Sequence, residues 1–334
     1  MEGERNKEKV GWGWGGPQHP TPSTQHPAPS PTLPLAVLLS LALCAMNLWG
    51  INKDIVGFFH DDSIYTVVAK SLSEGKGYHI ISLPSSPPET KYPFVYPYIL
   101  SWIWRLNPSF PENIFLLKAV NVGFLFAALL FSYAFYCQNI GERRIDALLY
   151  VFLVGGNPFV FSLTDYPLSD TLFFTLTLLA LLFCSHRGHP PPTPARVALL
   201  SGVVALAYLT RQAGVALILA GILYFLLARR RRELFLYLFI LAVLISPWLL
   251  WQLSHATDTP RNPLLLFYVS YEKPAFFLLW SDPVQMVRAV WGKTCHLIAS
   301  FDLGFLLPLF PGLRFLVYPL LIWGGYLSLR RHTV

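Results

Sequence analysis

The chain has 334 residues, of which 54% are hydrophobic, 15% aromatic and 13% charged, with a formal charge of +7 and a mean hydropathy of +0.47. Soluble domains carry roughly a quarter charged residues, so this composition excludes an ordinary soluble enzyme and marks an integral membrane protein. The positive charges sit in short clusters between apolar runs, where the positive-inside rule expects them, which points away from nucleic acid as a partner.

Residues 1–32 are rich in Pro, Gly, Ser and Thr and poor in aliphatic side chains. Such a segment cannot bury a core and is expected to be a disordered cytoplasmic tail. It is too long and too Pro-rich for the leading part of a cleaved signal peptide. Residues 33–334 are expected to form an all-α, polytopic membrane domain. The apolar runs predict spans at 33–50, 113–137, 145–163 (interrupted by "GGNP" at 155–158), 171–184 with its flanks, 234–253 and 313–329. The run 197–228 is apolar except at "TRQ", and it ends in Arg229, Arg230, Arg231 and Arg232. A hairpin of two short helices with Arg211 at the turn returns that cluster to the side of Arg187 and Arg196. About eight crossings result, with both termini and every basic cluster on the cytoplasmic side. Residues 51–111, 164–170 and 254–311 are then external loops, and 297–310 is a candidate re-entrant piece. Cys44, Cys137 and Cys184 lie in or at the ends of apolar runs, no CxxC pair exists, and with Cys295 they read as small hydrophobes rather than a disulfide framework or zinc site.

The candidate reactive groups fall on the external side. Asp61 and Asp62 open a stretch in which Ile64, Val68 and Leu72 repeat every four residues, the pattern of one apolar helix face lying in the interface. One acid suffices as an N-cap. Two adjacent acids against an apolar surface predict raised pKa values and a general base, or a divalent cation held between them. Lys91 precedes a Pro/aromatic run; it is either a lysine snorkelling to head groups or a cation for a phosphate. Asp165 and Asp170 flank the next external turn, where capping is the plain reading. Arg211 between two apolar helices is expensive unless paired, and is a functional candidate by default. His60 and His79 flank the acidic helix and offer a candidate His–acid dyad. His255, Asp258, Arg261, Glu272, Lys273 and Asp282 in the last loop have no interpretable spacing. No Walker loop, HExxH, GxSxG or GxGxxG in proper context occurs, so soluble nucleotide chemistry is not expected.

The order of a span, an external acidic pair, an interfacial helix, "KYP", a short acidic turn and "LTRQAG" resembles the GT-C superfamily of membrane glycosyltransferases, nearest the protein O-mannosyltransferase and lipid A aminoarabinose transferase branches. The family's DE-x-x-Y-x-x-x-A stretch is matched by Asp61, Asp62, Tyr65 and Ala69, with Asp in place of Glu at the second position. Its K-P-P stretch is matched by Lys91, Tyr92 and Pro93, with Tyr in place of the first Pro. Asp170 and Arg211 match the acidic and basic positions further on. The resemblance covers about 33–252; relatives usually continue with more spans and often a soluble domain, so the chain is expected to be a fragment or a reduced relative.

The resemblance implies a GT-C-like bundle in a membrane, with the bacterial plasma membrane the expected location. It implies a sugar carried on a polyprenyl phosphate and transferred, with inversion, to a hydroxyl of a lipid, glycan or protein acceptor. In that scheme Asp61 takes the acceptor's proton, Asp62 holds the helix or a metal, and Asp170 orients the acceptor or Asp61. Lys91 and Arg211 neutralise the departing phosphate. The competing reading is a transporter or flippase of a lipid-linked or anionic substrate; "GGNP" is its one supporting feature and has no symmetric partner. A non-catalytic membrane assembly partner is the third reading.

Overall fold

The structure, a computed structural model, describes residues 32–141, 143–184 and 193–255, with isolated positions at 283–284, 287–288, 290–292, 319 and 323. All but the last residue of the expected tail 1–32, the whole of 185–192 in the Pro-rich connector, nearly all of the 254–311 loop with Cys295, and nearly all of the expected span 313–329 lie outside the described residues. Among the described residues every regular element is a helix and no strand occurs, in agreement with the all-α reading.

Helix α1 (Leu33–Gly50) starts at a proline in its first turn, where the missing N–H is harmless. Its buried face is narrow and small-to-medium (Ala36, Ser40, Leu43, Cys44, Asn47), while Leu35, Leu38, Leu41 and Met46 face outward, as a lipid-facing span requires. The loop after it contains two helices. The amphipathic α2 (His60–Ser73) buries Ile64, Tyr65, Val68 and Ala69 as its periodicity predicts. The second, α3 (Val95–Leu106), gives helical form to the Pro/aromatic run expected within the 51–111 loop. Pro97 sits in its first turn, and Tyr96, Leu100 and Trp104 form a stripe buried against α2.

Helix α4 (Ile114–Asn139) is the central span and packs against α1 and its successors. The expected third span is two helices, α5 (Arg144–Gly155) and α6 (Pro158–Thr164), bent by 56° at "GGNP". The Asn157 side chain caps α6 by accepting from the Phe159 amide. Gly155 lets α5 approach α1 and α4: a Cβ there would lie 2.8 Å from Leu43 and 3.0 Å from Leu129. Helices α7 (Asp170–Cys184), α8 (Pro194–Thr210), α9 (Val215–Leu227) and α10 (Arg231–Ser254) follow, with a 3-10 turn at Gln212–Gly214 between α8 and α9. By length and apolarity α1, α4 and α10 can cross a membrane, and so can the bent pair α5–α6 taken as one span. Helices α7, α8 and α9 are apolar but shorter.

The contacts sort the connections into two ends. Asn52 after α1, Lys118 near the start of α4 and Asp165 after α6 meet at one end. The start of α7, the end of α8 and the end of α10 join them there through Asp170–Arg211, Gln212–Lys91 and Gln252–Thr90. Since α8 and α10 both finish at that end, α9 must run back between them, as the hairpin reading expects. At the opposite end Thr32 bonds Tyr133 at 2.6 Å and Arg196 bonds the Phe183 carbonyl at 2.8 Å. Arg143, Arg144 and the arginines 229–232 lie in the connections of that opposite end or in the first turns of α5 and α10. These arginine clusters and the acidic pair therefore occupy opposite poles of the bundle.

Candidate active site

Four stretches converge at the acidic pole. The first is the turn into α2. Gly57 adopts a positive φ of 93°, a conformation open to glycine and strained for other residues. Its amide and that of Phe58 donate to Oδ2 of Asp62 at 2.7 and 3.2 Å, and the Ser63 amide donates to Oδ1 at 2.9 Å. Asp62 is fully buried. Burial raises its pKa and the backbone donors pull it back down. Asp62 thus builds the turn that aims α2. Asp61, one residue earlier, stays about one-third exposed at 34% and points its Oδ1 at the Tyr92 phenol, which donates to it. His60 Nδ1 lies 3.2 Å from the Tyr92 hydroxyl and 3.5 Å from Asp61 Oδ1. Neither acid serves as the N-cap: Phe59 holds that position and both acids fall in the first turn, where the helix dipole still favours them.

The second stretch is the loop carrying Lys91. Glu89 is wholly buried, and its Oε1 accepts from the amides of both Lys91 and Tyr92, the latter at 2.8 Å. Burial pushes the Glu89 carboxyl up to about 8, against the pull of those amides and of Lys91. The Tyr78 hydroxyl donates to the Tyr92 carbonyl at 2.8 Å. Three side chains from elsewhere hold the rest of the loop: Trp251 donates to the Glu89 carbonyl at 2.9 Å, Gln252 to Thr90 at 2.8 Å and Gln212 to Lys91 at 3.2 Å. Lys91 is buried with its ammonium 5.1 Å from the Tyr92 ring centroid. Burial lowers its pKa, opposed by Asp61 and Glu89.

The third and fourth stretches meet in an ion pair. Asp170 opens α7, and Arg211 follows α8 in an extended conformation before the 3-10 turn. Arg211 donates to Asp170, and each side chain is 31% exposed. Next to them Tyr65 on α2 shares a hydrogen bond with Ser169 at 2.9 Å. The five residues singled out in the sequence, Asp61, Asp62, Lys91, Asp170 and Arg211, thus stand around one network, in which Gln212 ties the turn after Arg211 to the Lys91 loop and Tyr65 ties the turn before α7 to α2.

A second charged group lies beside this network and carries a residue that the sequence reading passed over. Lys118 is fully buried within α4 and donates to the Asn52 carbonyl and to Asp165 at 3.5 Å. Its ammonium also faces the Tyr166 ring at 5.5 Å. Asp165 in turn accepts from the Asn52 amide at 2.7 Å, so it staples two loops rather than capping a helix. A lysine inside a predicted span is itself the signal that could have exposed this group. Among the described residues no cluster of three or more His, Cys, Asp or Glu side chains could hold a metal ion. The two neighbouring acids have separate partners: backbone amides for Asp62 and Tyr92 for Asp61.

An apolar pocket of about 270 Å³ opens behind the Lys91 loop, lined by Leu72, Tyr78, Phe94, Tyr98, Trp248 and Trp251 with Pro247 of α10. Trp251 belongs both to this pocket and to the hydrogen bond that holds Glu89.

The described residues thus form a helical bundle with an amphipathic helix after its first apolar span and with acids and cations gathered at one pole, and comparison with solved structures shows a likeness of fold. The chain is similar to ArnT from Cupriavidus metallidurans bound to undecaprenyl phosphate, with a TM-score of 0.51 and 16% identity over 81% of this chain and 52% of that one. The apo state of the same protein aligns with a TM-score of 0.49 and 16% identity, over 74% of this chain and 46% of that one. The chain therefore spans about half the length of the structure it resembles, and at this identity the likeness is one of fold. No protein-family model and no curated protein matches the sequence.

Proposed function

We propose that the protein is a membrane glycosyltransferase that moves a sugar from a polyprenyl-phosphate donor to an acceptor hydroxyl, with inversion, at the non-cytoplasmic face. The observation that carries the reading is the joining of Asp61, Lys91, Asp170 and Arg211 into one network at the pole opposite the arginine clusters. Arginines favour the cytoplasmic side, so the network lies outward, where lipid-linked rather than nucleotide-linked sugars are the available donors. The likeness to a fold solved with undecaprenyl phosphate supports the same donor class. On this reading the protein resides in a bacterial plasma membrane with both termini cytoplasmic.

The chemistry assigns each group a part. The acceptor oxygen forms a bond to the anomeric carbon as Asp61 takes its proton. The bond from that carbon to the phosphate oxygen breaks, and the phosphate leaves with the electron pair. Lys91 and Arg211 are fixed cations aimed at that growing charge, a large catalytic contribution in a partly dry site. Asp170 uses one face of the Arg211 guanidinium and leaves other N–H donors for the phosphate. Asp62 organises the turn. The apolar pocket behind Lys91 suits the first isoprene units of the carrier.

The test is direct transfer. Purified protein in lipid nanodiscs is incubated with labelled prenyl-phosphate sugars of several kinds, and release of label from the lipid is followed. Transfer from at least one donor is expected, with Asp61→Asn lowering the rate by about 10²- to 10⁴-fold. A folded Asp61→Asn protein that transfers at the normal rate rejects the assignment.

A further inference from the structure

The resemblance to glycosyltransferases is broken at one position of the Lys91 stretch, where tyrosine replaces proline, and that tyrosine is the residue that touches Asp61. We infer that Tyr92 is a positioning residue that locks the Asp61 carboxylate in register with the Lys91 ammonium; the inference rests on the proposed transferase reading and deepens it.

Tyr92 is held on every side. It is buried, 3% exposed, and its ring packs edge-on against Tyr65 at 5.0 Å. Its amide donates to Glu89 Oε1, and its carbonyl accepts from Tyr78. With backbone and ring both pinned, the phenol has little freedom and donates to Oδ1 of Asp61. His60 approaches the same pair from α2. Among the described residues no hydrogen bond engages Oδ2 of Asp61, the oxygen left for an acceptor hydroxyl. Lys91 and Tyr92 are consecutive, and the Lys91 ammonium lies 5.1 Å from the Tyr92 ring centroid, so the cation and the group that orients the base stand side by side. A donor phosphate that settles on Lys91 finds the base already aligned, which is how orientation lowers a barrier without tighter binding. A proline at this position has neither the phenol nor the N–H that Glu89 uses.

The test uses the full chain in nanodiscs labelled with carboxyl-¹³C aspartate. Tyr92→Phe keeps the ring and its packing and removes only the hydroxyl. Infrared difference spectra between wild type and Tyr92→Phe are expected to show a shifted carboxylate band that disappears when both proteins also carry Asp61→Asn. Absence of that band overturns the inference whether or not the protein transfers sugar. If Tyr92→Phe folds poorly, 3-fluorotyrosine at 92, a stronger donor, is expected to shift the same band the opposite way; no shift overturns the inference. In the transfer assay Tyr92→Phe is expected to lower kcat by roughly 10- to 100-fold, the scale of one hydrogen bond to a charged group, with KM for the prenyl-phosphate donor unchanged. A normal kcat, or a loss confined to KM, overturns the positioning role. A wild-type protein that releases no sugar from any donor rejects the transferase reading and, with it, a catalytic use for Tyr92, while the infrared result still decides whether Tyr92 holds Asp61.

Discussion

Arg211, at the break between α8 and α9, donates a hydrogen bond to Asp170, the first residue of α7. Forty-one positions separate the two in the chain. The pair closes the distance between α7 and the α8–α9 hairpin at the pole that carries the candidate site. Pairing relieves the burden of an arginine in an apolar setting.

A double-mutant cycle measures that link. Asp170→Asn and Arg211→Gln are each expected to destabilise the folded protein, and the double variant is expected to lose less than the sum. Groups in direct contact couple by about 0.5–3 kcal/mol, and one-third exposure of both side chains places this pair toward the lower half of that range. Unfolding in mixed micelles reads the cycle. Additive losses would show that the pair does not hold α7 to the α8–α9 hairpin.

Glu89 predicts a pH dependence of stability. Its carboxyl is raised to about 8 in the fold, against roughly 4.3 in an unfolded chain. Between those values the folded state keeps a proton that the unfolded chain releases, so this residue makes stability fall as pH rises, with no further change above about 8. Glu89→Gln keeps an oxygen for the two amides and removes the titration. The variant is expected to gain on the wild type by several degrees in melting temperature between about pH 5 and pH 8. An identical difference at both pH values would show that Glu89 does not titrate in that window.

Parts of this architecture were open to inspection in the sequence, and the reason differs by residue. The α2 face was legible because Ile64, Val68 and Leu72 are spaced by the helix period. Arg211 was legible because one charge interrupts a long apolar run. The hairpin followed from charge alone, since the arginines 229–232 had to return to one pole. Helix α3 was hidden because Pro97 and a dense aromatic run read as rigid loop, although proline is harmless in a first turn. Lys118 was hidden because hydropathy averages a single lysine away within a span. The roles of Glu89 and Tyr92 depend on Trp251, 162 positions from Glu89, and on Asp61, 31 positions from Tyr92. Contacts at such separations leave no periodic trace, so only folding brings them into view.

The Lys118 group makes a second electrostatic prediction, independent of catalysis. Asp165→Asn keeps an acceptor for the Asn52 amide and removes the charge facing a fully buried ammonium. Stranding a buried charge costs about 3–5 kcal/mol, and the Asn52 carbonyl that still accepts from Lys118 puts the expected loss near the lower figure. Lys118→Met in the same chain removes the stranded charge and is expected to restore most of the stability. Denaturation of the wild type and of these two variants in mixed micelles checks both statements. A double variant no better than Asp165→Asn would mean that the lysine is needed for packing rather than tolerated for its pairing.

Gly214 tests whether the hairpin that presents Arg211 depends on close backbone approach. A Cβ at this position would lie 2.5 Å from the amide nitrogen and Cα of Tyr208 and 2.8 Å from the carbonyl carbon of Ala207. Those are backbone atoms of the last turns of α8 and cannot rotate away as a side chain could. The Gly214 amide also donates to the Arg211 carbonyl at 2.9 Å, so displacing Gly214 pulls on Arg211 itself. Gly214→Ala is therefore expected to destabilise by about 1–3 kcal/mol, the usual penalty of overpacking, and to lower any transfer activity along with it. Gly202, in the middle of α8, is the control: a Cβ there meets nothing within 4 Å. Gly202→Ala is expected to be neutral, or stabilising by up to about 1 kcal/mol through helix propensity. Melting curves of the two variants decide the matter, because equal behaviour would place the turn between α8 and α9 elsewhere than against Tyr208.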